Sequence, residues 1–355
     1  MTIQATDADQ PGTAVYAAKG FFRLAVSALR READGVVSVI LSDADGVALP
    51  AWEPGAHIDV LFSNGVLRQY SLCSDPEDRS AWRIAVLREQ TSRGGSIFVH
   101  EVLQAADFVD VRGPKNNFRG TPGSGEKVFI AGGIGITPLL PMIRAAQSTG
   151  EAWRLLYLGS DLRSMAFRDE IAGLDPAGNK ARFHAKKDSG ALDLAEYLRE
   201  HGLDGGSTVY ACGPRRLLSE LRSAHEAGVV PHLVFEDFGR DGPLADTGSS
   251  GSSAADPRRE IGKSPRDNLP FVVETIDGVE IDVAEGETIL EALQRSGIPA
   301  LNSCRKGTCG TCETTVLAGI PDHRDEILSD EERAANETMM ICVSRCRGER
   351  LVLDI

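Results

Sequence analysis

The sequence predicts a multidomain chain: a small antiparallel β-barrel, an α/β domain on a parallel sheet, and a compact β-grasp unit at the C-terminus. Three observations carry this. Short strand-like segments separated by turns fill the first part of the chain, and after residue 121 apolar strands alternate with helices. A stretch rich in Gly, Ser, Pro and Asp, without any periodic apolar pattern, then sets the last segment apart. The boundaries read as a tail over 1–19, the barrel over 20–120, the α/β domain over 121–240, a flexible linker over 241–268 and the C-terminal unit over 269–355. A chain of 355 residues is long enough for two or three such cores.

In the first domain "FFRLAVSALRR", "GVVSVILSD", "HIDVLF", "LRQYSLCS" and "WRIAVLRE" read as strands, with turns at Ala44-Asp45-Gly46 and Asn64-Gly65. Short strands at this spacing close into a barrel. In the second, the strands "KVFIA", "WRLLYLGS", "ARFHAK" and "STVYACG" are followed in turn by the helices "TPLLPMIRAAQST", "MAFRDEIAGL", "LDLAEYLREHG" and "PRRLLSELRSAHEAG". In the third, "FVVETIDGVEIDVAEG" is a hairpin turning at Asp277-Gly278. The helix "TILEALQRSG" opens on a Thr288/Glu291 capping box, and the short helix "SDEERAAN" on a Ser329/Glu332 box. The strands "MMICVSR" and "RLVLDI" complete the unit.

Composition excludes several functions. With 42% hydrophobic and 25% charged residues the chain is of ordinary globular type. The opening "MTIQATDADQPGT" has neither basic start nor apolar core, so no signal peptide is expected. The longest apolar run, over 128–143, is short for a membrane span and broken by Gly and Pro, and a cytoplasmic protein is expected. The net charge is -14; residues 269–355 hold 17 Asp/Glu against 8 Lys/Arg, which leaves only -5 for the rest. Nucleic acid is an unsuitable partner, whereas an acidic C-terminal unit suits a basic patch on another protein.

Seven cysteines, an odd number without a secretion signal, favour metal or redox chemistry over a disulfide framework. Three of them fall in "NSCRKGTCGTCETTVLAG" as Cys304-x4-Cys309-x2-Cys312, and Cys342 follows on an expected strand. This is the plant-type 2Fe-2S spacing. Structural zinc sites generally pair two short Cys or His elements instead of drawing three ligands from one loop. Gly307 and Gly310 allow the backbone to turn its N–H groups toward the sulfurs. Cys346, four residues past Cys342, reads as a spare small side chain on the same face of that strand.

The run "SCRKGTCGTCETTVLAGIPDHRDEILSDEERAANETMMICVSR" resembles the C-terminal ferredoxin domain of the phthalate dioxygenase reductase family, which includes vanillate demethylase reductases. The resemblance covers nearly the whole chain from Phe21. It implies an FMN-binding barrel, a ferredoxin-reductase-like nucleotide domain and a ferredoxin. "RQYS" (Arg68, Gln69, Tyr70, Ser71) has the superfamily's Arg-x-Tyr-Ser form, and an Arg on a strand can grip a phosphate bidentately beside a flat Tyr platform. "SRGGS" offers Arg93 and the backbone of Gly94, Gly95 and Ser96 to the same anion, although Ser92 stands where the family usually has Gly. With "GPKNNF" over 113–118, and no added segment for an adenine half, these favour FMN over FAD.

"IAGGIGITPLL" turns from strand to helix. Gly132, Gly133 and Gly135 permit close approach of a pyrophosphate, while Thr137 and Pro138 open the helix. "YACGP" ends a later strand at the same sheet edge; by resemblance Cys212, with Gly213 and Pro214, faces the nicotinamide. Asp161 suits a ribose diol and Arg163 a 2′-phosphate, and the resemblance favours NADH with NADPH possible. In "VFEDFG", Phe238 shields the flavin or belongs to the core. No acid, base or nucleophile is required, and Ser71 and Cys212 are the expected positioning residues for hydride transfer.

The expected function is an oxygenase reductase component. Electrons pass from NAD(P)H through FMN and a 2Fe-2S cluster, one at a time, to a Rieske-type non-haem iron oxygenase docked on the acidic ferredoxin unit and acting on an aromatic compound. A haem-thiolate monooxygenase is the alternative acceptor. A reading of another class is a zinc-stabilised C-terminal binding module attached to a flavin reductase.

Overall fold

A computed structural model describes residues 20–90, 94–119, 125–238 and 268–355. The stretch 241–267, read as linker, therefore lies outside the described residues, as do Ser92 and Arg93. The chain divides into two compact units, Met1–Phe238 and Gly239–Ile355. Among the described residues no helix is long and apolar enough to cross a membrane.

The first unit begins with β1 (Phe22–Ala33), β2 (Val36–Ser42), β3 (His57–Leu61), β4 (Leu67–Ser71), β5 (Trp82–Leu87), the short helix α1 (Gly95–Glu101) and β6 (Phe108–Lys115). These strands form an antiparallel sheet in the order β4-β3-β6-β1-β2-β5. A bridge between Leu72, just past β4, and Ile84 of β5 brings its two edges together and closes the barrel. Closure removes the exposed edges a flat sheet would present. Leu24, Leu41, Ile58, Trp82 and Val111 fill the interior.

β7 (Lys127–Gly132), α2 (Ile136–Thr149), β8 (Trp153–Gly159), α3 (Arg168–Leu174), β9 (Ala181–Ala185), α4 (Lys186–Ser189), α5 (Leu194–Glu200), β10 (Thr208–Cys212), α6 (Arg215–Glu226) and β11 (His232–Glu236) follow. The sheet is parallel throughout, in the order β11-β10-β7-β8-β9. From β7 the chain builds outward through β8 and β9, then returns to the other side of β7 with β10. The order therefore switches between β7 and β10, and the C-terminal ends of these two strands are where an open α/β sheet takes its ligand. Helix α3 starts later than "MAFRDEIAGL" suggested: Met165, Ala166 and Phe167 are buried, and Phe167 adopts a left-handed φ of 64° before the helix begins.

The second unit comprises β12 (Phe271–Thr275), β13 (Glu280–Val283), α7 (Ile289–Arg295), β14 (Glu313–Ala318), β15 (Pro321–Asp322), α8 (Asp330–Ala335), β16 (Thr338–Met340), β17 (Arg345–Cys346) and β18 (Arg350–Leu353). Five strands make one sheet, β13-β12-β18-β14-β16, and α7 buries Ile289, Leu290, Ala292 and Leu293 in the core it covers. Both capping boxes form, Thr288 with Glu291 and Ser329 with Glu332.

One expectation is corrected. "MMICVSR" is not a continuous strand, because β16 ends at Met340. The N–H groups of Val343 and Ser344 turn back to the Met340 carbonyl at 3.2 and 3.0 Å. Buried Arg345 is drawn inward to donate to the carbonyls of Leu269 and Ala284, each at 3.1 Å. Cys342 therefore sits in a turn, and Cys346 lies on a separate strand, β17, not on a shared strand face.

Candidate functional site

The two glycine-rich turns at the switch point pack backbone to backbone. A Cβ on Gly135 would lie 2.2 Å from the Cys212 carbonyl oxygen, one on Gly132 2.6 Å from Pro214 Cδ, and one on Gly213 2.9 Å from Gly132 Cα. Those three glycines are thus demanded by packing. Gly133 differs: its φ is +57° and nothing lies within 4 Å of where a Cβ would stand, so it leaves room for a pyrophosphate. Thr137 is buried and its hydroxyl donates to the Ile134 carbonyl at 2.9 Å, so it fixes the turn. Pro138 stands in the first turn of α2, as read from the sequence.

Asp161 caps a short 3-10 turn past β8. Its Oδ1 accepts from the Ser164 N–H at 3.0 Å and its Oδ2 lies 2.7 Å from Lys187 Nζ, and Lys187 holds the carboxyl below its usual range. Arg163 lies 3.7 Å from Asp34.

On the barrel, the stem of Arg68 underlies the start of α1: a Cβ on Gly95 would lie 2.8 Å from Arg68 Cγ, while Gly94 has a left-handed φ of 96°. The glycine pair thus presses the backbone onto this arginine, a cradle suited to a phosphate. Ser96 accepts from the Glu89 N–H at 3.2 Å, and Gln69 reaches Asp59 at 3.4 Å. Tyr70 packs edge-on to Phe62, with centroids 6.2 Å apart. Ser71 is buried, and its Oγ has no hydrogen-bond partner among the described residues, as expected of a side chain that binds a polar ligand. In "GPKNNF", Asn116 donates to the Pro54 carbonyl and Phe118 packs edge-on to Tyr210 of β10.

Two functional candidates escaped the sequence reading. His57 on β3 lies opposite Ser71 in register, and Glu236 on β11 lies opposite Cys212. His57 Nδ1 and Glu236 Oε1 are 3.9 Å apart, at a point where the barrel meets the nucleotide domain. Phe238, two residues on, packs against the nucleotide-domain core. The only sequence signals were a His and a Glu inside otherwise apolar strands. Burial pushes His57 down to about 4 and Glu236 up to about 8. Between the ordinary histidine pKa and 4, the unfolded chain binds a proton that the folded one refuses. His57 thus destabilises the fold as pH falls through this window, by about 3 kcal/mol at its lower end. Denaturant titrations from pH 7 to pH 4 should show this loss diminished in His57→Gln.

In the second unit Cys309, Cys312 and Cys342 are buried and Cys304 partly so. Among the described residues no three metal-ligating side chains converge on a single-ion position. The four thiols instead act on one another in sequence: Cys304 faces Cys309 and Cys342, and Cys342 faces Cys304 and Cys312. Cys304, the acceptor from Cys309 and Cys342, is held far below the usual thiol range; Cys309, which keeps its proton and donates it to Cys304, is pushed far above. The Lys306 N–H adds a bond to the Cys304 sulfur at 3.3 Å. Gly307, with φ +72°, carries the loop past Val343 and Asp325; a Cβ there would lie 2.6 Å from Val343 Cγ2. Four clustered thiols with backbone donors aimed at sulfur are the donor set of a 2Fe-2S cluster.

Residues 274–347 match the 2Fe-2S iron-sulfur cluster binding domain family, which removes the zinc-module reading. The chain is 38% identical over 336 residues to tetrachlorobenzoquinone reductase of Sphingobium chlorophenolicum, covering 94% of this chain and 97% of that one. Its structure resembles phthalate dioxygenase reductase, a modular structure for electron transfer from pyridine nucleotides to [2Fe-2S], with TM-score 0.65, 32% identity and coverage of 96% and 99%. It also resembles an intact type IV self-sufficient cytochrome P450 monooxygenase, with TM-score 0.74 and 36% identity; all of this chain is covered, but it spans only 43% of that longer one. An identity above 30% along essentially the whole length of these relatives, joined to the cysteine loop and both glycine turns, places the chain in the phthalate dioxygenase reductase family of oxygenase reductase subunits.

Proposed function

We propose that this protein is the reductase component of an oxygenase system, taking hydride from NADH onto FMN and passing electrons singly through its 2Fe-2S cluster to a Rieske-type oxygenase that acts on an aromatic compound. The observation that carries this is the pairing, in one chain, of a four-thiol cluster site with a barrel and nucleotide domain that meet where His57, beside Ser71, lies 3.9 Å from Glu236, beside Cys212. The flavin exchanges a two-electron donor for one-electron acceptors, and the cluster, near about -400 mV for the plant type, supplies low-potential single electrons.

The chain's own residues bind and orient. Arg68, with Arg93 and the backbone of Gly94, Gly95 and Ser96, grips the FMN phosphate; Gln69 and Tyr70 line the same strand, and Phe238 covers the ring. Gly132, Gly133 and Gly135 with Thr137 and Pro138 shape the pyrophosphate turn. Cys212, Gly213 and Pro214 hold the nicotinamide against the flavin edge beside Ser71. NADH is preferred over NADPH on the family resemblance, with Asp161 the candidate for the ribose diol. Cys304, Cys309, Cys312 and Cys342 ligate the cluster. The oxygenase docks on the acidic ferredoxin unit, so reduction of the partner slows as salt rises, and the protein works in the cytoplasm.

The whole-length likeness to part of a self-sufficient cytochrome P450 favours one second reading, a haem-thiolate monooxygenase as acceptor. An absorption spectrum tests the central reading. Flavin bands with a broad shoulder in the red, both bleached by NADH, are expected; a colourless C-terminal fragment containing zinc would sink it. Arg68→Ala should weaken FMN binding by about ten- to a hundredfold, the worth of a charged hydrogen bond, and release the flavin on gel filtration. Full retention would remove Arg68 from the phosphate site.

A further inference from the structure

The cysteine loop carries a cation that the binding roles above leave unused. Within residues 302–312 Arg305 is the one exposed residue, and it directly follows Cys304, the one cluster thiol that is not buried. Electron tunnelling falls off steeply with distance, so a protein that collects electrons here approaches on the side where the thiols come nearest the surface. Arg305 stands at that point.

The other arginines of the C-terminal unit are compensated from within. Arg295, Arg324, Arg333, Arg347 and Arg350 each face a carboxylate, that of Glu287, Asp322, Asp325, Asp322 and Glu274 in turn, and Arg345 is buried against main-chain carbonyls. Arg305 differs. Its Nε donates to the Asn302 side-chain oxygen at 3.1 Å and its Nη2 to that of Gln294 at 3.2 Å, and among the described residues it forms no ion pair. In a unit with 17 acidic residues against 8 basic ones, a cation held by neutral amides alone keeps its charge for something outside the unit.

The backbone points the same way. Arg305 has a φ of +60°, in the left-handed region that residues other than glycine seldom occupy, and such conformations gather at functional sites. With its backbone set by the loop and its guanidinium held by two amides, the side chain has little freedom left to lose on binding. Acid lies on either side. The Glu326 N–H donates to the Gly307 carbonyl at 3.0 Å, which sets exposed Glu326 against the loop, and exposed Glu313 follows Cys312 directly. The face is a fixed cation between carboxylates.

We infer that Arg305 is the specificity contact of the docking face, and that the acceptor protein presents one carboxylate to it inside a ring of basic side chains that meet Glu313 and Glu326. A guanidinium takes a carboxylate through two parallel bonds, so this contact fixes register as well as sign. The unit's overall charge attracts any protein with a basic surface. A partner whose basic surface is unbroken then meets a like charge at the point of electron exit, which selects against it.

This inference deepens the electron-transfer reading above, but its test needs no electron to move. The probe is cytochrome c, whose haem edge is ringed by lysines, together with variants in which one of those lysines at a time is replaced by glutamate, placing a carboxylate inside a basic ring. Calorimetry at low salt measures their binding to the full chain loaded with FMN and cluster, with all proteins oxidised. Unaltered cytochrome c should bind Arg305→Glu about three- to tenfold more tightly than wild type, with Arg305→Gln between them, and added salt should shrink the difference. At least one glutamate-bearing probe should bind wild type no more weakly than unaltered cytochrome c does, whereas every one should bind Arg305→Glu more weakly. Equal affinity of the three chains for cytochrome c, or equal weakening of all the glutamate probes toward wild type and Arg305→Glu, overturns the inference. The cluster's red absorption checks that the loop is assembled in each variant, and if Arg305→Glu loses it the same comparisons are read from Arg305→Gln. Failure of the electron-transfer reading itself looks different: a wild-type absorption that NADH does not bleach.

Discussion

In Cys309→Ser protein, reduction of a one-electron protein acceptor falls to background while NADH still bleaches the flavin. The thiol faces Cys304 within the cysteine loop and is 7% exposed. A serine hydroxyl is a harder and far less acidic ligand for iron than a thiolate, so the cluster assembles poorly or not at all. The residues proposed for the flavin and the nucleotide belong to the other compact unit and are unchanged. Stopped-flow absorbance separates the two outcomes, with flavin bands lost on NADH addition and no reduction of the acceptor. Cys346→Ser is the control. Among the described residues its sulfur bonds within its own turn, accepting from the Gly348 N–H at 3.2 Å and donating to the Arg350 carbonyl at 3.4 Å, so turnover should match wild type. Surviving acceptor turnover in Cys309→Ser would refute the ligand assignment.

The second large effect concerns the strut between barrel and nucleotide domain. Arg83 of β5 grips Glu170 of α3 through two bonds of 2.9 Å, and Arg144 of α2 holds the same carboxylate. The Arg83 guanidinium also lies over the Phe167 ring, 4.8 Å from its centroid, and donates to the Cys73 carbonyl at 2.6 Å. Glu170→Ala leaves two half-buried cations facing each other, a loss of about 3 kcal/mol by comparison with other broken buried pairs. Denaturant titration should show it, and NADH-driven flavin reduction should slow, because this strut is part of what fixes nucleotide domain to barrel. Glu170→Gln keeps two acceptor positions on one oxygen and should lose less. Equal stability of Glu170→Ala and wild type would mean that the strut carries no net energy.

Such features mark where sequence reading ends. The two capping boxes were legible because each is made within four residues, and both form. The alternation of strand and helix after residue 121 was legible because side-chain periodicity follows backbone geometry. The extent of a strand was not: "MMICVSR" has strand-like composition throughout, yet the chain turns at Ile341 so that Cys342 can meet thiols some thirty residues earlier and Arg345 can enter the core. Arg83 and Glu170 are 87 positions apart, and His57 and Glu236 further still. No local pattern relates such residues.

By itself, then, the sequence determined the fold class, with its antiparallel, parallel and ferredoxin-like parts, and marked the cysteine and glycine motifs, because each depends on spacing or periodicity within a short stretch. Tertiary structure alone decided which glycines are needed for packing and which leaves room for a ligand, since only strand order brings the Gly132 and Gly213 turns into contact. It alone also brought the buried imidazole of His57 and the carboxyl of Glu236 together. Burial and long-range proximity set their protonation, and neither property is written in any single segment of the chain.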